Sequence, residues 1–152
     1  MYEFLQETVE NNMTTKVRSI EPGTTVGELY RLFGADDFDS YPVVRGGALV
    51  GVVSKLDALK VFALSQDHIL PQYKEGMATT VEDIMTRDVV TVDAETRLQR
   101  VLELMIKHRI RSLPVVAQDG ALRGIISRGD VMRAMESATL RQYPPVLPFE
   151  AN

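Results

Sequence analysis

The 152 residues contain no cysteine and only two histidines. Without cysteine there are no disulfides, no thiolate nucleophile and no cysteine metal site, and the chain fits a reducing cytoplasm. His68 and His108 stand far apart, which argues against a histidine-rich metal centre, and no metal ligand set is expected. No apolar run approaches the ~18 residues of a membrane span, and Met1–Glu10 is acidic and polar without a signal-peptide pattern. An excess of basic charge is missing too. Lys plus Arg number 17 against 21 Asp plus Glu, a net charge of −4, which argues against broad binding to nucleic-acid backbones. There is no P-loop, no glycine-rich dinucleotide fingerprint, and no motif that sets a histidine beside Ser127. An enzyme is therefore not expected. What the chain does have is 45% hydrophobic and 25% charged residues, enough for a packed core in one ordinary domain or two very small ones.

The second alternative is favoured by an internal repeat. Thr8-Val9-Glu10-Asn11-Asn12-Met13-Thr14 matches Thr80-Val81-Glu82-Asp83-Ile84-Met85-Thr86 at an offset of 72. At the same offset Ser40-Tyr41-Pro42-Val43-Val44 matches Ser112-Leu113-Pro114-Val115-Val116. Gly51-Val52-Val53-Ser54-Lys55-Leu56-Asp57 then matches Gly124-Ile125-Ile126-Ser127-Arg128-Gly129-Asp130 at 73, one residue having been added in the turn between. The expected division is a first repeat at 1–64, a linker at 65–79, a second repeat at 80–138 and an extended tail at 139–152. Repeats this small bury their cores poorly alone, so they are expected to pack face to face.

Each repeat reads alike. A short helix ends near Met13 or Met85, and an extended stretch follows at Val17–Ile20 or Val89–Val92. The next helix has helical spacing in Leu98, Val101, Leu102 and Met105, and Thr25-x-x-Glu28 and Thr96-x-x-Gln99 are expected as capping boxes for the two copies. Strands begin at Pro42 and Pro114, turn at Gly46-Gly47 or Asp119-Gly120, and return at Leu49–Val53 or Leu122–Ile126. A last helix runs from about Ser54 to Leu64 and from about Ser127 to Ser137. That order predicts an α+β fold in which each repeat is a small mixed β-sheet with helices packed on one face. Pro71 and Gly76 read as breakers in the linker, and Met85, Met105, Met132 and Met135 read as core filler.

The run Asp83-Ile84-Met85-Thr86, then Leu113-Pro114-Val115-Val116, then Gly124-Ile125-Ile126-Ser127-x-x-Asp130 resembles the CBS domain, and the first copy follows the same order. The resemblance spans about 5–138 and implies a tandem pair, a Bateman module. It further implies two pseudo-twofold-related repeats, clefts between them for AMP, ADP, ATP or S-adenosylmethionine as a regulatory ligand, no required cofactor, association into homodimers, and a regulated protein that is not identified. By the same resemblance, Asp130 and Asp57 accept from ribose hydroxyls beside Ser127 and Ser54. Thr86, Val89 and Val90, with Thr14, Val17 and Arg18 in the first copy, surround adenine. Arg111, Ser112 and Ser40 complete the adenine and ribose set, and His108, Arg109, Arg128 and Lys55 reach phosphate.

Local physics offers plainer readings of the same residues. Serine with Asp three residues later caps any helix, although a carboxylate can also accept from both hydroxyls of a cis diol. His108-Arg109 can neutralise a helix C-terminus or hold phosphate oxygens. Asp36-Asp37-Phe38-Asp39 stands where the second copy has His108-Arg109-Ile110-Arg111 and would repel phosphate. An exposed loop is the first reading there, with a salt-bridge partner and a divalent cation as the others. Residues 1–64 carry six basic and nine acidic side chains, and residues 81–135 carry nine and eight, so the better phosphate site is expected in the second copy. The expected function is a cytoplasmic regulatory module that senses an adenosine-containing ligand. The alternative is a structural or protein-interaction dimerisation module with vestigial clefts.

Overall fold

A computed structural model describes residues 2–63 and 72–144. The chain forms two compact units, and each takes segments from both repeats. One is built from Val17–Val89 with Asp119–Leu122; the other takes Met1–Lys16, Val90–Gln118 and the chain from Arg123 onward.

In the unit centred on Val17–Val89, strands β1 (Ser40–Arg45) and β2 (Ala48–Ser54) pair antiparallel, with Ser40 opposite Ser54 and a bulge after Val43. Gly46 and Gly47 close the hairpin at φ 58° and 83°, the left-handed pair that a two-residue turn demands. Ile20 bridges Val43 in parallel and Thr86 bridges Val52 antiparallel, so the hairpin is extended into a small mixed sheet. Its helices are α1 (Val26–Ala35), α2 (Lys55–Lys60), α3 (Gln72–Ala78) and α4 (Val81–Ile84). The core joins Ile20, Leu29, Tyr41, Val43 and Val53 to Val81 and Met85, which come from the second repeat.

The other unit repeats the plan with α5 (Leu98–His108), β3 (Ser112–Val116), β4 (Leu122–Ser127) and α6 (Arg128–Gln142). Val92 bridges Val115 in parallel and Thr14 bridges Ile125 antiparallel. Phe4 and Val9 from the first repeat fill its core with Leu98, Val101, Leu113, Val115 and Ile126.

The α+β class and the strand positions agree with the sequence reading, and several details do not. The helix expected before Met13 is a turn, in which the Val9 carbonyl accepts from Asn12 and Met13 N–H, after a 3-10 helix at Phe4–Gln6. The Thr96 capping box does not form. Thr96 Oγ lies 2.8 Å from Asp93 Oδ1, and the free N–H of Leu98 donates instead to the Glu7 carbonyl. Helix α2 stops at Lys60, earlier than expected. Helix α6 runs to Gln142, four residues into the segment expected to be an extended tail, because Ala138 is buried and Arg141 pairs with Glu3 and Glu7. Gly76 lies inside α3, where an added Cβ would sit 2.8 Å from the Phe62 ring. Close packing requires it, not chain breaking. Met132 and Met135 are exposed on α6, whereas Met85 and Met105 are buried as expected. His68, Pro71 and residues 145–152 lie outside the described residues.

Candidate functional site

The two serine–aspartate segments fold alike because their chemistry is local. Ser127 stands extended at the head of α6. Its N–H and Oγ–H both donate to Asp130 Oδ2 at 2.7 Å, and Asp130 N–H donates back to Ser127 Oγ at 3.2 Å. Ser54 and Asp57 form the same box at the head of α2, at 2.9, 2.9 and 3.1 Å. Asp130 is the one buried charged side chain among the described residues, 4% exposed. A buried carboxylate needs partners for every oxygen. Oδ1 finds one in the Arg133 guanidinium, and at the equivalent place Lys60 Nζ lies 3.7 Å from Asp57 Oδ1. Arg133 and Lys60 were missed in the sequence, although the 73-residue offset that aligns the serine–aspartate segments aligns them too.

The Met-Thr segments are exchanged. Thr14 pairs its N–H and carbonyl with Ile125 at 2.9 Å each, two residues before Ser127. Thr86 pairs with Val52 at 2.9 and 3.0 Å, two residues before Ser54. So Thr14 of the first repeat stands by the Ser127–Asp130 box, and Thr86 of the second by Ser54–Asp57. Gly124 and Gly51 permit this approach, since a Cβ at either would come within 3 Å of the Thr14 or Thr86 carbonyl oxygen.

The remaining residues divide between the units. With Asp130 lie Thr14, Val90, His108, Arg109, Arg111, Ser112, Ser127 and Arg128. With Asp57 lie Val17, Arg18, Ser40, Ser54, Lys55, Thr86 and Val89. Asp130 lines a polar cavity of about 710 Å³ with Glu7, Asn11, Asn12, Arg133, Ser137 and Arg141. Arg109 and Arg128 do not line it. They stand on a separate apolar groove of about 580 Å³ with Leu102, Ile106, Met132 and Met135. Arg109 closes α5 in the left-handed region, φ 53°, its N–H donating to the Met105 carbonyl. Arg128 ties down the loop after α5. Its N–H donates to the Arg111 carbonyl at 2.9 Å and its Nε–H to the Ile110 carbonyl at 3.2 Å. Lys55 N–H donates in the same way to the Asp39 carbonyl.

The acidic loop of the first repeat is exposed at Asp37, Phe38 and Asp39, as expected first, while Asp36 at its start also carries a salt bridge. Arg18, expected beside adenine, lies 2.8 Å from Asp36 Oδ2, and Lys55 Nζ lies 3.9 Å from Asp39. The buried Tyr41 hydroxyl also lies 2.8 Å from Asp36 Oδ2. Burial, then the Asp36 carboxylate, pushes the Tyr41 phenol up to about 12. Among the described residues no cluster of three acidic or histidine side chains could hold a metal ion, and no helix is long and apolar enough to cross a membrane.

This geometry has known counterparts. The profile of the CBS domain matches residues 7–64 and 81–137. The CBS domain-containing protein YhcV of Bacillus subtilis is 32% identical over 81% of this chain and 81% of its own length. MJ1225 of Methanocaldococcus jannaschii is 30% identical over 84% of this chain, which spans only 46% of that protein. The structure of MJ1225 superposes with a TM-score of 0.80 over 86% of this chain and 48% of that one, at 28% identity. The structure of CBSX2 of Arabidopsis thaliana in complex with AMP superposes with a TM-score of 0.75, at 30% identity, over 87% of this chain and 98% of that one. Two matches to one domain profile, in a chain whose repeats fold alike around serine–aspartate boxes, place this protein in the CBS-domain family as a tandem pair.

Proposed function

We propose that this CBS pair is a non-enzymatic regulatory module that binds an adenosine-containing ligand, AMP first, at Asp130. The observation that carries the reading is a buried carboxylate, set by a capping box, on the wall of a cavity large enough for a nucleotide. The capping and ligand roles are compatible, because Ser127 occupies Oδ2 and leaves Oδ1 to a partner that can be exchanged. Ser127 holds the carboxylate and Thr14 pairs with Ile125 two residues before Ser127, Ser54, Asp57 and Thr86 repeat the arrangement in the other unit, and a relative of 30% identity is known with AMP bound. Isothermal titration with AMP, ADP, ATP and S-adenosylmethionine tests the proposal. At least one should bind below the millimolar range, and Asp130→Asn should weaken it by about tenfold or more. No binding by any of the four would refute it.

A second reading rests on the apolar groove. Ile106 and Met132 are each 70% exposed on α5 and α6, and a continuous exposed apolar face is an association surface. A homodimer formed through it would make the protein an interaction module whether or not a ligand binds. Ile106→Glu should then shift the light-scattering mass from dimer to monomer.

A further inference from the structure

Asp130 holds its two oxygens in different ways. Oδ2 is taken by two donors of Ser127, which are fixed by the start of α6. Oδ1 is taken by Arg133, one turn further along the helix. The Arg133 side chain is 69% exposed and the Asp130 side chain only 4%. The carboxylate therefore cannot leave, whereas the guanidinium can. A diol that binds Asp130 must donate to Oδ1 and compete with Arg133. A neutral diol that displaces a cation from a buried carboxylate gives up an ion pair and gains a weaker partner. The loss is recovered only when the ligand brings an anion that keeps the guanidinium in the cavity, and a guanidinium fork suits phosphate oxygens.

We infer that Arg133 makes the Asp130 cavity selective for nucleosides that carry a phosphate, by ceding Asp130 Oδ1 to the ribose and pairing with the phosphate. The inference rests on the reading of Asp130 as the ribose acceptor and adds the residue that chooses among such ligands. Arg133 lines the same cavity as Asp130, together with the amide side chain of Asn11 and the hydroxyl of Ser137, which can donate further hydrogen bonds to phosphate, whereas the Asn12 amide is held by Glu7 and the Thr8 carbonyl. The other repeat keeps the device in weaker form, with Lys60 at 3.7 Å from Asp57 Oδ1. A lysine offers a point charge without the fork.

Titration of the full chain with adenosine and with AMP, for the wild type, Arg133→Gln and Arg133→Lys, provides the test. The wild type should bind AMP at least about tenfold more tightly than adenosine. Arg133→Gln should weaken AMP by about tenfold while leaving adenosine unchanged or tighter, so the preference collapses. Arg133→Lys should keep part of it, and added salt should erode the preference in the wild type and in Arg133→Lys but not in Arg133→Gln. A merely structural arginine would lower both affinities together. If Arg133→Gln binds both ligands and keeps the wild-type ratio, the selectivity assigned to Arg133 is wrong while the nucleoside reading stands. If the wild type binds neither ligand, both are wrong.

Discussion

Adding one methyl group at Gly124 should be among the most damaging small changes in the chain. A Cβ built there lies 2.6 Å from the Thr14 carbonyl oxygen and 3.1 Å from Met13 Sδ. A carbon–oxygen contact relaxes at about 3.3 Å or more, so the overlap is about 0.7 Å against backbone, which cannot rotate away. That carbonyl also accepts from Ile125 N–H at 2.9 Å, and Thr14 N–H donates to the Ile125 carbonyl at the same distance. Relief requires moving the Met13-Thr14 segment off β4, which strains or breaks both bonds. Overpacking costs about 1–3 kcal/mol, and an overlap with backbone that strains two hydrogen bonds puts Gly124→Ala in the upper part of that range, at about 2–3 kcal/mol. For a chain of this size the melting temperature should fall by roughly 6–10 °C. Gly34→Ala is the control. Nothing lies within 4 Å of its Cβ and it sits in α1, so it should stabilise by about 0.5–1 kcal/mol. Urea titration gives the energies, and hydrogen exchange at the Thr14 amide reports the pairing itself. A Gly124→Ala protein within about 1 kcal/mol of wild type, with Thr14 still protected, would refute the exchanged pairing of Thr14 with β4.

Two further outcomes follow from single residues. Tyr41→Phe removes the hydroxyl shared by Asp36 and the Leu32 carbonyl and should cost about 1–2 kcal/mol at neutral pH. The folded phenol is pushed up to about 12 from an ordinary 10.0. Its contribution is therefore whole below pH 10 and is lost as the pH rises toward 12, because the unfolded chain releases the proton first. Urea titrations across that window should show the decline in the wild type and a flatter profile in Tyr41→Phe; matching profiles would count against it. Arg109 holds φ 53° without being glycine, so Arg109→Gly should equal or exceed the stability of Arg109→Ala, by up to about 1 kcal/mol. A glycine variant that melts below the alanine variant would show that the left-handed turn carries no strain.

Much of the local structure was legible because its causes lie within a few residues. A serine or threonine with an acid three positions later signals a helix start, and the capping box forms at Thr25, Ser54 and Ser127, though not at Thr80. The related pair Thr96-x-x-Gln99 failed because the Thr96 hydroxyl turns to Asp93 and α5 starts one residue later, after Arg97. The acidic loop was legible in part, since Asp37, Phe38 and Asp39 are exposed as expected, but the contacts of Asp36 were not. Its charge was visible, but Arg18 and Tyr41, which come to Asp36 from other elements, were not placed by any spacing. Arg133 was hidden differently. It stands at an ordinary helical position, and only the burial of Asp130 turns it into the partner of one particular oxygen.

By itself the sequence determined that the chain is a duplicated α+β unit, where each hairpin turns, and which serine and aspartate open each last helix. These are properties of short segments, set by backbone conformation and by neighbours one turn away. Tertiary structure alone decided which segments share a unit. The choice of Thr14 for β4 and Thr86 for β2 depends on backbone hydrogen bonds between distant residues, and on glycines that leave room for them. Such bonds are chemically alike at every residue, so no side-chain pattern announces them. The same packing buries Asp130, leaves Arg133 in the cavity that Asp130 lines, and carries Arg109 to a separate groove.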